Sequence, residues 1–331
     1  MPHIYSDDRL RLAARLYYID GLGQAEVAKF VKVSQAKVSR LLALARERGI
    51  VRITVADYEP RHKELEGRLR AQLGLDTAIV IKAIDQLDSA DLRRSVGHFA
   101  SGVVESVIQA QDIVAVAGGR TIYELAQHFP ELRNKALTVV QAMGSVDSSI
   151  SAFDAQEIGR VMAQRLGGIF IALNAPAYIP ERRTRDALMK LEQVQNVHRQ
   201  LAKATVAIIG IGTLENSVFV ERRVLAPADI AELKAAGAVG EICGRFIDAH
   251  GKECDTRWRD LVISAEVVQL RRIPRVIGVV SGSDRSAAIM AAIKGGLLKG
   301  LVIDEAGAEA LLAAATQAIT QKPKLPRRAK K

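Results

Sequence analysis

Cysteine, aromatic side chains and long apolar runs are all scarce in this 331-residue chain. Its two cysteines, Cys243 and Cys254, lack metal-type spacing and a third ligand nearby, and they cannot build a disulfide framework for so long a chain. No metal and no cofactor are expected, and a reducing cytoplasm is the natural compartment. Aromatics supply 4% of the residues against 49% hydrophobic overall, so the core must be built from Ala, Val, Ile and Leu. Ala- and Val-rich runs closed by glycines fit α/β architecture better than a β-sandwich. No run approaches the ~20 apolar residues that cross a bilayer. The start, "MPHIYSDDRLRLAARLYY", has early acids and no apolar segment of a signal peptide. A cytoplasmic protein with no membrane contact is expected, long enough for about two domains.

What is present in excess is positive charge, a formal +10. Residues 321–331, "QKPKLPRRAKK", hold six basic groups and no acid, and read as a disordered tail. A denser signal lies in 29–52, where seven Lys or Arg face the single acid Glu47.

Around that cluster the helical rhythm breaks once and resumes. Leu10, Leu12, Ala13, Leu16, Tyr17 and Ile19 repeat at helical spacing until "DGLG" at 20–23 stops them. A short helix over 24–30 turns Val27, Ala28 and Val31 inward. Lys32 and Val33 make the turn, and Ser34 is a good N-cap for a third helix, 35 to about 48. That helix buries Val38, Leu41, Leu42 and Ala45 and ends at Gly49. "IVRITV" at 50–55 alternates as a strand. Helix, tight turn and helix describe a helix-turn-helix whose second helix enters a major groove. Its readers would be Ser34, Gln35, Ala36, Lys37, Ser39 and Arg40: glutamine suits adenine, arginine or lysine suits guanine, and serines hold phosphates. Lys32 occupies the turn position where such motifs usually carry Gly. A negative φ would make that inexpensive, and its ammonium adds a phosphate contact. The competing reading is an αα-hairpin with a solvated basic face.

The domain organisation expected is a DNA-binding head over 1–56, a linker over 57–63, a larger α/β domain over 64–320 and the basic tail. After "ELEGRLRAQLGL" and "TAIVI" comes a long helix around 91–109. Apolar strands ending in glycine then alternate with helices: "DIVAVAGG", "ALTVVQAMG", "GGIFIALNAP", "ATVAIIGIG", "PRVIGVVSG" and "GLVIDE". This is the pattern of a doubly wound, mostly parallel sheet, whose ligands sit beyond the carboxyl ends of the strands. At 118–121, Gly118 and Gly119 let backbone approach a ligand, Arg120 supplies charge, and Thr121 opens a helix whose amides favour an anion. "GIGT" at 210–213 lacks the third glycine and the acidic partner of a dinucleotide fingerprint.

Together "YYIDGLGQAEVAKFVKVSQAKVSRLLALARERGIVRITV", "AVAGGRTIYEL", "NAPAYI", "IIGIG", "GAVGEICGRFIDAHG" and "VIGVVSGSDRSAAIMAAIKGGLLKGLVIDE" resemble the SorC family of sugar-responsive bacterial transcription regulators, from about residue 9 to 315. The resemblance implies a DNA-binding domain followed by an effector domain similar to sugar-phosphate isomerases and deaminases. It implies a dimer or tetramer whose operator binding is modulated by a phosphorylated sugar or polyol. By position, 118–121 looks like the phosphate loop. Glu241 looks like an acceptor for sugar hydroxyls, and Arg222 or Arg223 and Arg285 look like ligand-facing cations. Ser281 stands where the family's block usually has Gly, adding a side chain near the ligand. Met143 stands where polar or Lys residues are common, so no Schiff-base capture of the effector is expected. His98, His128, His198 and His250 stand apart in sequence and suggest no site.

Two alternatives compete with a regulator that is not an enzyme. One is a sugar-phosphate isomerase or deaminase fused to a DNA-binding module, for which Glu241 is the single candidate base. The other is a non-sensing DNA-binding scaffold with purely structural glycine loops.

Overall fold

The computed structural model describes residues 5–84, 86–131, 136–147 and 151–320. The tail at 321–331 lies outside the described residues. The described residues fall into two compact units, divided between Tyr58 and Glu59.

In the first unit α1 (Asp7–Ala14) is capped by the Ser6 hydroxyl and runs into a π-helical stretch, Arg15–Ile19. That wider turn departs from the 3.6-residue period, and the expected core position Ile19 points outward with 75% of its surface exposed; Leu12, in the regular helix before it, lies two residues from buried Leu10 and so on the opposite, exposed face. Then follow α2 (Gln24–Phe30) and α3 (Gln35–Glu47), the latter capped where Ser34 Oγ accepts the Lys37 amide at 3.3 Å. Leu10, Ala13, Val27, Ala28, Val31, Val38, Leu41, Leu42 and Ala45 form the core.

Two expectations fail here. Lys32 has φ +50°, in the left-handed region, so its turn carries the strain that a glycine avoids. Residues 50–55 form no strand. Their alternation meets no neighbouring strand among the described residues of the unit, and Ile53 and Val55 stay exposed.

The second unit begins at Glu59. From there, residues expected as a linker are held in place. The Lys82 amide donates to Pro60 O and the His62 amide to Val80 O, each at 2.8 Å, so 60–62 run antiparallel along an edge strand and cover it. Arg61 donates two bonds of 2.7 Å to buried Glu66.

Beyond lie α4 (Lys63–Leu73), β1 (Thr77–Ile81), α5 (Ser89–Val107), β2 (Ile113–Val116), α6 (Arg120–His128), β3 (Thr138–Gln141), α7 (Ala155–Leu166) and β4 (Ile169–Ile171). Next are α8 (Arg182–Met189), α9 (Glu192–Leu201), β5 (Val206–Ile209), α10 (Val218–Glu221), α11 (Pro227–Ala235), β6 (Gly240–Ile242) and β7 (Arg245–Ile247). The chain closes with α12 (Val267–Arg272), β8 (Arg275–Val279), α13 (Ser286–Lys294), β9 (Gly300–Asp304) and α14 (Glu305–Thr320).

Seven strands pair in the order β1-β9-β8-β5-β2-β3-β4, every pair parallel. Both faces are buried. Ala115, Ala207 and Ile209 pack into one core, while Val114, Val116, Val206 and Ile208 pack into the other, as a two-residue period requires. The antiparallel hairpin β6–β7 stands outside this sheet.

Four of the scarce aromatics form one cluster. Trp258 stacks on Tyr178 at 4.8 Å and meets Phe219 and Phe246 edge-on, its indole N–H donating to Gly244 O at 2.8 Å. Phe219 anchors α10 in this cluster. No helix of the described residues is long and apolar enough to cross a membrane.

Candidate functional site

On the first unit, Lys32, Ser34, Gln35, Ala36, Lys37, Ser39 and Arg40 are all exposed, whereas Val38 and Leu41 are buried. The α3 pattern thus separates a core face from a polar face at the helix start. Arg9 steadies the preceding turn by donating to Val31 O at 3.1 Å.

On the second unit, the carboxyl ends of β2, β3, β5 and β8 open into a cavity of about 290 Å3. Gly118, Gly119, Arg120, Thr121, Arg222, Glu241 and Arg285 all line it. The sheet explains why: β2, β5 and β8 are consecutive neighbours, so segments far apart in sequence finish side by side. Arg223, the alternative to Arg222, lies exposed outside the lining.

The 118–121 segment turns sharply. A Cβ on Gly118 would lie 2.9 Å from Phe153 O, and Gly119 has φ +147°, so both positions need glycine. The Gly119 amide already donates to Phe153 O at 2.9 Å. Helix α6 starts at Arg120, one residue earlier than expected, and its first intrahelical bond from this turn is Tyr123 N–H to Gly119 O. The amides of Arg120, Thr121 and Ile122 precede it and carry the positive end of the helix. Thr121 and Ser281, both buried, join their hydroxyls at 3.3 Å across the β2 and β8 ends. The Ser281 side chain therefore ties the two loops together. Asp304, buried at the end of β9, accepts the Gly282 amide at 2.5 Å and the Gly307 amide at 3.0 Å, fixing that loop.

The cations are already engaged. Arg120 donates to both Glu221 oxygens at 2.6 and 2.7 Å, and Arg222 donates to Asp147 at 2.7 Å. Arg285 donates to Ser281 O and pairs with Asp284 at 3.3 Å. Asn216 donates to Asp284 at 2.7 Å. The segment carrying α10 thus reaches three walls of the cavity through Asn216, Glu221 and Arg222.

Glu241 sits on β6, which the "GIGT" loop positions: Gly212 and Glu241 exchange two backbone bonds of 2.9 Å. Burial pushes its carboxyl up to about 7, opposed by hydrogen bonds from the Ser217 hydroxyl and the Gly244 amide. A carboxyl titrating near 7 can accept from a hydroxyl when ionised and donate to one when protonated. Next to it Cys243, at φ +52°, and Gly244, at φ +75°, form the tight β6–β7 turn. Met143 lines the cavity and no lysine does among the described residues.

Sequence reasoning did not find Arg93, Asn216, Ser217 or Glu221. Arg93 lies in the second turn of α5, far from any glycine loop, and nothing local marks it.

The family described as "Putative sugar-binding domain" matches residues 60–313. The chain belongs to this sugar-binding family. Curated relatives align along nearly all of it. The sorbitol operon regulator of Klebsiella pneumoniae is 25% identical over 93% of this chain and 99% of its own. The deoxyribonucleoside regulator of Bacillus subtilis is 29% identical over 91% and 96%. The erythritol catabolism regulatory protein EryD of Brucella abortus is 27% identical over 93% and 97%. The crystal structure of the full-length Klebsiella regulator SorC superposes with TM-score 0.74 over 93% of this chain and 99% of that one. The likeness to the SorC regulators therefore includes the head as well as the sugar-binding unit, and the expectation of a transcriptional regulator stands.

Proposed function

We propose that this family member regulates transcription of a carbohydrate or polyol catabolic operon, with operator binding modulated by a phosphorylated sugar or polyol held in the cavity. Gln35 and Arg40 read base edges, Ala36 contacts a thymine methyl, and Lys32, Ser34, Lys37 and Ser39 hold phosphates. In the effector unit Gly118, Gly119, Arg120 and Thr121 form the phosphate end, Arg222 and Arg285 support it, and Glu241 receives the hydroxyls. The observation that carries this reading is one cavity with both ends, helix-terminus amides beside Thr121 and a buried carboxyl at Glu241, lined also by four arginines. Helix-terminus amides and guanidinium forks suit a phosphate dianion. A buried carboxyl is satisfied by ligand hydroxyls.

The protein acts in the cytoplasm as a dimer or tetramer, because one helix-turn-helix reads few base pairs and paired heads supply specificity. Calorimetry with a panel of sugar and polyol phosphates tests the ligand class. Binding that is equally tight for the unphosphorylated parents removes it.

The enzymatic reading rests on Glu241, whose carboxyl at about 7 suits a general base. Turnover of fructose-6-, glucosamine-6- or ribose-5-phosphate would establish it. We expect none, since binding alone accounts for a carboxylate that holds hydroxyls.

A further inference from the structure

Arg93 stands apart from the other cavity arginines. It reaches the cavity from α5, and among the described residues its side chain makes no hydrogen bond or ion pair. Arg120, Arg222 and Arg285 each have a carboxylate partner. Its position follows from a close helix crossing. A Cβ on Gly97 would lie 2.5 Å from the Glu124 backbone, so α5 and α6 touch there with no side chain between them. Arg93 is one turn before Gly97, and Arg120 is one turn before Glu124, so the two guanidinium groups share the end of that contact.

We infer that Arg93 is the phosphate-selecting residue of the cavity, holding a cation with no directly bonded partner where a bound dianion supplies one. The inference rests on the cavity being the effector site and assigns its selectivity to one side chain. Arg93 is half-buried, and burial together with the charges of Arg120 and Arg285 holds its guanidinium below the ordinary range. Three cations converge there, with Asp88 and Glu124 the acids that offset Arg93. Repulsion in the empty cavity becomes attraction once a dianion enters, so the same group that destabilises the free protein strengthens phosphate binding. A neutral sugar gains nothing from it. Arg120 contributes less, because binding through it must compete with Glu221.

The test uses the full chain and inorganic phosphate as the probe, by calorimetry at low salt and slightly alkaline pH. Arg93→Gln is expected to weaken phosphate binding at least about tenfold, a change of one decade in Kd. Arg93→Lys should retain most of the affinity, since it keeps the charge. Without phosphate, Arg93→Gln should melt no lower than wild type, because a repelled cation has been removed. Three outcomes overturn the proposal. If Arg93→Gln binds phosphate like wild type while Thr121→Val does not, Arg93 is not the selector and the effector-site reading stands. If wild type binds no phosphate at tens of millimolar, both fall. If ligand-free Arg93→Gln melts well below wild type, the residue is structural.

Discussion

Arg120 and Glu221 close an ion pair across the rim of the cavity, both Glu221 oxygens lying within 2.7 Å of one guanidinium nitrogen. An incoming phosphate must share or take that arginine. Replacing Glu221 with Gln should therefore tighten inorganic phosphate binding severalfold. Stability should change little, because both side chains are about half exposed and such pairs contribute about 0–1 kcal/mol. Calorimetry and a melting curve on the same preparation check both halves. Unchanged or weaker phosphate binding would show that the pair helps build the site.

Glu241 gives the unit a pH dependence of definite sign. Its carboxyl is raised from 4.5 to about 7 by burial, so the folded state keeps a proton that the unfolded chain releases. That contribution is fully present below about pH 4.5 and is lost as pH rises through about 7. The interval, at about 1.4 kcal/mol per pH unit, amounts to roughly 3 kcal/mol. Urea midpoints measured from pH 5 to 8 should fall more for wild type than for Glu241→Gln. The variant, which resembles the protonated acid, should be the more stable at pH 8. Parallel curves would contradict the burial argument.

Lys32 separates strain from recognition. Its positive φ costs about 1 kcal/mol that glycine avoids. Lys32→Gly should raise the melting temperature of the helix-turn-helix unit. It should also weaken binding to all DNA about equally and flatten the salt dependence, because one phosphate contact is lost. Anisotropy titrations at two salt concentrations with specific and random duplexes check this. A loss confined to the specific site would make Lys32 a base reader.

The thiols should be silent. Burial raises Cys243 to about 12 and Cys254 to about 11, leaving almost no thiolate at pH 8. A chromogenic disulfide reagent should titrate neither thiol in the folded protein and both after denaturation.

The parallel sheet was legible because its strands are apolar on both faces, and runs such as "IVAV" and "VAII" carry that fact locally. The α3 caps were legible because Ser34 and Gly49 are local signals. Whatever depended on a partner was not. Residues 50–55 alternate as a strand but pair with no strand among the described residues of their unit. The β6–β7 hairpin passes unnoticed because each arm is three residues long, and the non-glycine Cys243 occupies a left-handed position. Ile19 kept the helical period on paper, but the π-helical turn before it rotated it away from the core, whereas Leu12 was already off the Leu10–Ala13 face of α1. At the cavity, glycine loops announced 118–121, whereas Arg93 and Glu221 arrive from helices through tertiary packing. Ion pairing of the three expected cations has no sequence signal.

A phosphorylated ligand at Thr121 and Glu241 should change DNA binding at Gln35 and Arg40. Fluorescence anisotropy with the full chain, a duplex selected by the protein from random sequence, and a panel of sugar and polyol phosphates measures that coupling directly. At least one phosphate should shift DNA affinity about tenfold or more, a coupling of about 1.4 kcal/mol. Its unphosphorylated parent should not, and Thr121→Val should bind DNA normally yet ignore the effector. If the parent sugar shifts affinity as strongly, or Thr121→Val still responds, the phosphate assignment is contradicted. If a chain truncated to residues 57–331 retains specific DNA binding, the helix-turn-helix assignment is contradicted as well.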